Sequence, residues 1–393
     1  MNDRLPALLV IDDQPEKQKP LEFTLSDDAS VVVRHPADLV EDDLIKADLV
    51  LVDYELNDWR ERVEGPLGLR AYDGLALLAS LRRAALRLTQ GKPEHSPTAF
   101  AIYSGKLTEL SGPKAPSKVP HEIARVYNLE WAFEKGRVSG LEESPLNERQ
   151  FVILAKAVRE LVDEWPDRVS QLSEQHAARL LGLRDADSPT LSSHDWEATW
   201  RSQGWEDAFD AYPPIFEIYE RTHGLALLRW LLHRVFPYPT FLWDSRYLGA
   251  RLGIQEESVK QLLSNSSLRE LLADYEYRGL LAGFAGPRWW KAGIEEVLWE
   301  MTDGESANPK SIRTALAEEG ISIPDSEVMR PVVCIDSEYL RPTRLSPVDS
   351  AVRVRPDDWP PFADSAWMTL DDLAARPDLV ALVAPDDRHR LPI

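Results

Sequence analysis

Three short runs constrain this chain more than any other feature: Leu8-Leu9-Val10-Ile11 ahead of Asp12-Asp13, Val31-Val32-Val33, and Leu49-Val50-Leu51-Val52 ahead of Asp53. A run of apolar β-formers without polar alternation cannot be a strand with one wet face. It is buried on both faces, which calls for a parallel sheet covered by helices. Leu75, Leu78, Leu81, Ala85 and Leu88 recur at helical spacing and supply a crossover, while Ala99 to Tyr103 and Leu129 to Phe133 add two more strand-like runs. The expected class is α/β, with a doubly wound five-stranded parallel sheet over residues 1–166. Asn147 and Gln150 have capping-box spacing, and Phe151, Leu154, Ala155, Val158, Leu161 and Trp165 form an apolar stripe ending at Pro166. The first domain boundary is placed there.

A chain of 393 residues exceeds one ordinary core. Residues 167–310 read as a mainly helical domain, with helices expected at 171–183, 215–235, 255–264 and 294–301. Ten of the 13 tryptophans lie beyond residue 165, and clustered tryptophan means large buried area or an aromatic recognition surface. Residues 311–393 change to short strand-like runs at 332–335 and 352–354 between proline-rich turns, a small α+β unit. The strongest membrane candidate, 224–243, carries Arg229, His233 and Arg234 and is cut by Pro237 and Pro239, so a buried helix and no membrane association are expected. The N-terminal run is too short for a signal peptide. With Cys334 as the single cysteine, no internal disulfide framework or cysteine metal cage can form, consistent with a cytoplasmic protein.

In a doubly wound sheet the ligand site lies beyond the carboxyl ends of the strands. Asp12 and Asp13 follow the first run and Asp53 the third; Ser104 ends the fourth, and Lys135 follows the fifth. Three converging carboxylates are costly without a cation, and an all-oxygen set suits Mg²⁺. A hydroxyl and an ammonium facing the same pocket are equipment for holding a phosphoryl group. In these five positions, and in Leu56 and Asp73-Gly74-Leu75, residues 5–165 resemble the receiver domain of two-component response regulators. The resemblance implies that Asp12, Asp13, Asp53 and the main-chain carbonyl of Glu55 bind Mg²⁺. It also implies that Asp53 accepts phosphate from a histidine kinase or phosphotransfer protein, with Ser104 and Lys135 contacting the phosphoryl oxygens. Two positions depart from the family pattern, Gly136 where proline is usual and Ala132 where an aromatic is expected. The stretch 57–72 is longer than the family's loop, and with Trp59, Arg60, Arg62 and Arg70 it is placed to cover the phosphosite.

Residues 248–263 resemble a helix-turn-helix, with Gly253 at the turn and Leu248, Leu252, Ile254, Val259 and Leu263 locking two helices. Gln255, Lys260 and Gln261 would be the candidates on a recognition helix. Glu256 and Glu257 stand where phosphate or base contacts are wanted, and the segment has no basic surplus in a chain of net charge −21, so DNA binding is not expected. The eight histidines show no paired-ligand spacing, Gly279, Gly283 and Gly286 form no phosphate-binding loop, and Asp336 with Glu338 reads as a solvated turn. The function expected is a response regulator whose output passes through an unidentified protein partner, with stress or defence signalling as one setting for such a fusion. The alternatives are a transcriptional regulator using 248–263 and a receiver-gated effector enzyme.

Overall fold

The first two apolar runs form neighbouring parallel strands, β1 (Ala7–Ile11) and β2 (Ser30–Arg34), joined through α1 (Lys19–Thr24). The chain continues through α2 (Glu41–Lys46), β3 (Leu49–Val52), α3 (Gly74–Thr89), β4 (Ala99–Ser104), α4 (Thr108–Ser111), α5 (Pro120–Val126), β5 (Trp131–Glu134) and α6 (Pro145–Glu164). Next come α7 (Glu174–Leu180), α8 (Thr199–Asp210), α9 (Leu225–Trp230), β6 (Leu242–Trp243), α10 (Ser245–Leu252), α11 (Glu256–Ser264), α12 (Ser266–Leu271), β7 (Trp289–Trp290), α13 (Lys291–Met301) and α14 (Pro309–Glu318). Four strands, β8 (Pro331–Ile335), β9 (Pro342–Pro347), β10 (Ala351–Val354) and β11 (Ala366–Thr369), and α15 (Leu370–Ala375) complete it. This computed structural model describes residues 4–59, 73–89, 97–111, 119–135, 145–164, 174–183, 199–214, 224–264, 266–306, 308–323, 330–338 and 340–391.

The chain divides into two compact units. The first is Met1–Leu181 with Pro214–His233 and Gly279–Ala285; the second is Gly182–Pro213, Arg234–Arg278 and Gly286–Ile393. In the first unit the five strands are all parallel, in the order β2-β1-β3-β4-β5. Every residue of β1 and β3 is buried, as their unbroken apolar runs require. The chain winds one way from β1 to β2 and the other way from β3 to β5, so direction reverses between β1 and β3. Helix α3 turns Leu77, Leu78, Leu81, Ala84 and Ala85 inward, a face slightly rotated from the expected stripe, with Leu75 and Leu88 at its margins.

Helix α6 starts at Pro145, two residues before the expected cap. Proline there presets a helical φ, and Asn147 instead donates from its side chain to the Glu134 carbonyl at 2.7 Å. Phe151, Leu154, Ala155, Val158 and Leu161 are buried as expected; Trp165 and Pro166 lie outside the described residues.

The later segments enter the first unit through specific contacts. Phe284 packs edge-on against Trp131 of β5 at 5.1 Å, and the Leu280 amide donates to the Leu180 carbonyl at 2.8 Å. A Cβ on Gly279 would lie 2.4 Å from the Leu181 carbonyl carbon, so this approach needs glycine. The stretch 224–243 is α9, a single π-helical turn at Leu231–Val235, and β6, and no helix among the described residues is long and apolar enough to cross a membrane.

In the second unit α10, α11 and α14 share a core containing Leu248, Leu252, Ile254, Val259, Ile312 and Leu316, with Trp243, Trp289 and Ile294. Helix α14 spans residue 310, where a boundary was expected from sequence. The strands beyond it form a mixed sheet in the order β10-β11-β8-β9, closed by Leu373, Leu379 and Val383.

Candidate functional site

Because the five strands are parallel, their last residues share one edge. Asp12 follows β1, Asp53 follows β3, Ser104 ends β4 and Lys135 follows β5. The strands hold these positions by ladder bonds that run into the site itself: the Asp12 amide donates to Arg34 O at 3.1 Å, Asp53 N to Ile11 O at 2.9 Å, and Lys135 N to Ser104 O at 3.0 Å. The site therefore lies at the reversal between β1 and β3, where such sheets bind ligands.

One carboxylate oxygen from each of Asp12, Asp13 and Asp53 lies within 4.8 Å of the other two. The Lys135 ammonium is 2.7 Å from Asp12 Oδ2 and 2.6 Å from Asp53 Oδ2, and it also sits 5.3 Å from the centre of the Tyr103 ring. Asp53 Oδ1 accepts the Glu55 amide at 3.3 Å, and Asp12 Oδ1 accepts the Gln14 amide at 2.7 Å. Asp13 is outside the reach of Lys135's ion pairs; its Oδ2 accepts the amide of Asp58 at 2.6 Å. Burial raises the Asp13 pKa above the ordinary carboxylate range, the Asp58 amide opposes this, and the charges of Asp12 and Asp53 reinforce it. Three negative groups answered by one ammonium form a cluster that could hold a metal ion.

Ser104 is buried, and its hydroxyl accepts the Lys106 amide at 3.3 Å. The Lys106 side chain pairs with Glu55, bridging the residues that follow β4 and β3. Helix α3 comes down directly on Asp53. The Gly74 amide donates to Tyr54 O at 2.8 Å, and a Cβ at Gly74 would lie 1.9 Å from the Asp53 carbonyl oxygen. Gly74 is thus required by a close backbone approach.

The structure brings Asp12, Asp13, Asp53 and Lys135 together and places Ser104 and Glu55 at the same edge. Of the stretch 57–72, residues 60–72 lie outside the described residues, as does Gly136. Residues 57–59 do reach the pocket, through Asp58. Sequence reasoning did not single out Gln14, Asp58, Lys106 or Tyr103. The spacing of Leu56 and Trp59, two apolar residues three apart in an otherwise polar loop, was a signal that this turn is pinned.

It also missed the charge network at the opposite end of β5. Glu130 is fully buried; it accepts the Phe100 amide at 2.5 Å and Arg229 Nε at 2.7 Å, while its carbonyl accepts from His233 Nε2 at 2.9 Å. Burial lowers the His233 pKa to about 4. An acid inside an apolar run, Leu129-Glu130-Trp131, was the visible mark of a buried, paired carboxylate.

The helix-turn-helix-like segment forms a real helix pair. Gly253 adopts φ +74° between α10 and α11, and a Cβ on Gly249 would meet Ile254 O at 2.7 Å, so this close approach needs glycine. Gln255 precedes α11, and Gln255, Lys260 and Gln261 are exposed. Lys260 is 2.8 Å from Glu256, which also accepts the Ser245 hydroxyl at 3.0 Å.

No protein-family model matches this chain, and no curated protein matches it in sequence.

Proposed function

We propose that the first unit is a phosphoacceptor module of response-regulator type, in which Asp53 receives a phosphoryl group and the second unit carries the output. The observation supporting this most strongly is the Lys135 ammonium bridging Asp12 and Asp53, with Asp13 beside them, at the reversal point of a 2-1-3-4-5 sheet. The residues fit a divalent cation: three carboxylates converge, one of them outside the lysine's ion pairs, and all donors are hard oxygens. Asp12, Asp13 and Asp53, with the Glu55 carbonyl, would hold Mg²⁺. When bound, the ion would neutralise charge on the incoming phosphoryl oxygens.

The chain's own groups do the rest. An Asp53 carboxylate oxygen attacks phosphorus in a histidine-bound or acyl phosphate, the bond from phosphorus to the donor breaks, and an aspartyl phosphate results. Lys135 transfers its hold from the Asp53 carboxylate to a phosphoryl oxygen, and the Ser104 hydroxyl turns its proton toward another. Added charge of about −1.5 to −2 beside carboxylates needs both cations. The donor proposed is a histidine kinase or phosphotransfer protein. Output through protein contact is favoured over DNA because the exposed face of α11 presents Glu257, and its Lys260 is already paired.

The test is incubation with a small acyl phosphate with and without Mg²⁺, read by intact mass. One phosphoryl group per chain in the presence of Mg²⁺ is expected. No incorporation from small donors or from kinase-bound phosphohistidine would overturn the proposal.

A further inference from the structure

The three acids of the cluster are not held alike. Lys135 and a backbone amide hold Asp12, through Gln14, and Asp53, through Glu55. Asp13 has neither the lysine nor a neighbouring amide, and Asp12 and Asp53 both repel it. Left alone, it would swing toward water, where a carboxylate is better solvated and farther from like charge.

What holds it is the turn after β3. Leu56 and Trp59 are buried at 1% and 0% exposure, and the Trp59 amide donates to Leu56 O at 3.3 Å. With both ends sunk in the core, Asn57 and Asp58 are left outside, and the Asp58 amide points at Asp13 Oδ2 from 2.6 Å. The Asp58 carboxylate would itself repel Asp13, but the Gln14 side-chain amide binds it. Gln14 thus holds Asp12 with its main chain and Asp58 with its side chain, and Asp58 holds Asp13.

We propose that the Leu56–Trp59 turn, locked by Gln14 and anchored by Trp59, is a positioning element that fixes Asp13 as a preorganised ligand for the divalent cation. This rests on the reading of the cluster as a metal site. Preorganisation removes the cost of ordering a ligand at the moment of binding, so its loss appears as weaker metal affinity with the ligands still present.

The experiment is calorimetric titration of the full chain with Mg²⁺ alone. Asp58→Pro deletes the amide donor, and Trp59→Ala releases the anchor; each should weaken binding by roughly tenfold, the scale of one charge-assisted hydrogen bond. Trp59→Phe, which keeps an aromatic anchor, should restore most of that loss. Gln14→Ala, a surface change that leaves the core intact, should weaken binding by about threefold, as expected for one exposed hydrogen bond. In an Asp13→Ala background the Asp58→Pro change should have little further effect, since its target is gone. Equal affinity in wild type, Asp58→Pro and Gln14→Ala, or full additivity with Asp13→Ala, would overturn the positioning role and leave the metal site standing. Absence of Mg²⁺ binding by the wild type would overturn both.

Discussion

The Lys135 ammonium lies 2.6 Å from Asp53 Oδ2, so the residue that closes β5 already neutralises the carboxylate that closes β3. The same ammonium reaches Asp12, so one cation serves two acids while a third stands alongside.

A divalent cation held by these carboxylates would compete with Lys135 for the same charge. Lys135→Met should lower the melting temperature in chelator by several degrees, corresponding to about 1–3 kcal/mol for stranding a hydrogen-bonded charge. Mg²⁺ should recover most of that loss, more than it stabilises the wild type. Thermal unfolding with chelator and with Mg²⁺ reads this directly, and a deficit indifferent to Mg²⁺ would separate Lys135 from the metal site.

Gly74 fixes the distance between the start of α3 and the end of β3, where Asp53 stands. In Gly74→Ala the new methyl would meet the Asp53 carbonyl oxygen at 1.9 Å, and a backbone oxygen cannot step aside as a flexible side chain would. The helix start must move away from the site, at a cost of about 1–3 kcal/mol for overpacking. Urea unfolding should show this loss, with Asp53 phosphorylation slowed in the folded fraction.

His233 gives the first unit an acid sensitivity. Its folded pKa of about 4 is below the ordinary 6.5 because burial disfavours the imidazolium. The unfolded chain therefore binds the proton first. The contribution is fully present above about pH 6.5, falls as pH drops toward 4, and levels off below that; its total is roughly 3 kcal/mol. Stability measured against pH should be flatter between 4 and 6.5 in His233→Gln than in the wild type. Parallel curves would show that His233 carries no such linkage.

The helix pair α10–α11 should not read DNA. Selection from random duplexes at low and moderate salt, with and without phosphodonor, should enrich no sequence, because Glu256 occupies Lys260 and the protein's net charge of −21 opposes approach. A defined site lost in Lys260→Ala or Gln261→Ala would restore the transcription-factor reading.

The strand edge was legible because burial on both faces leaves no choice of residue: Leu8 to Ile11 and Leu49 to Val52 could only be interior strands, and the acids after them could only meet at one edge. The return of Leu225 to His233 and of Phe284 to β5 was not legible, since nothing local in those segments names a partner a hundred residues away. Asp58 was hidden for a different reason. Its role is played by a backbone amide, which every residue but proline possesses, and only the buried neighbours Leu56 and Trp59 make it specific. Helix α14 is hard to read from sequence because only Ile312, Ala315 and Leu316 mark its helical spacing, next to the proline-rich turns that follow.

The most direct measurement is intact-mass and peptide analysis of wild type and Asp53→Asn after exposure to Mg²⁺ and an acyl phosphate. One phosphoryl group located at Asp53 in the wild type, and none in Asp53→Asn, is the predicted result. Undiminished labelling of the Asn variant, or labelling that maps away from the β3 edge, would contradict it.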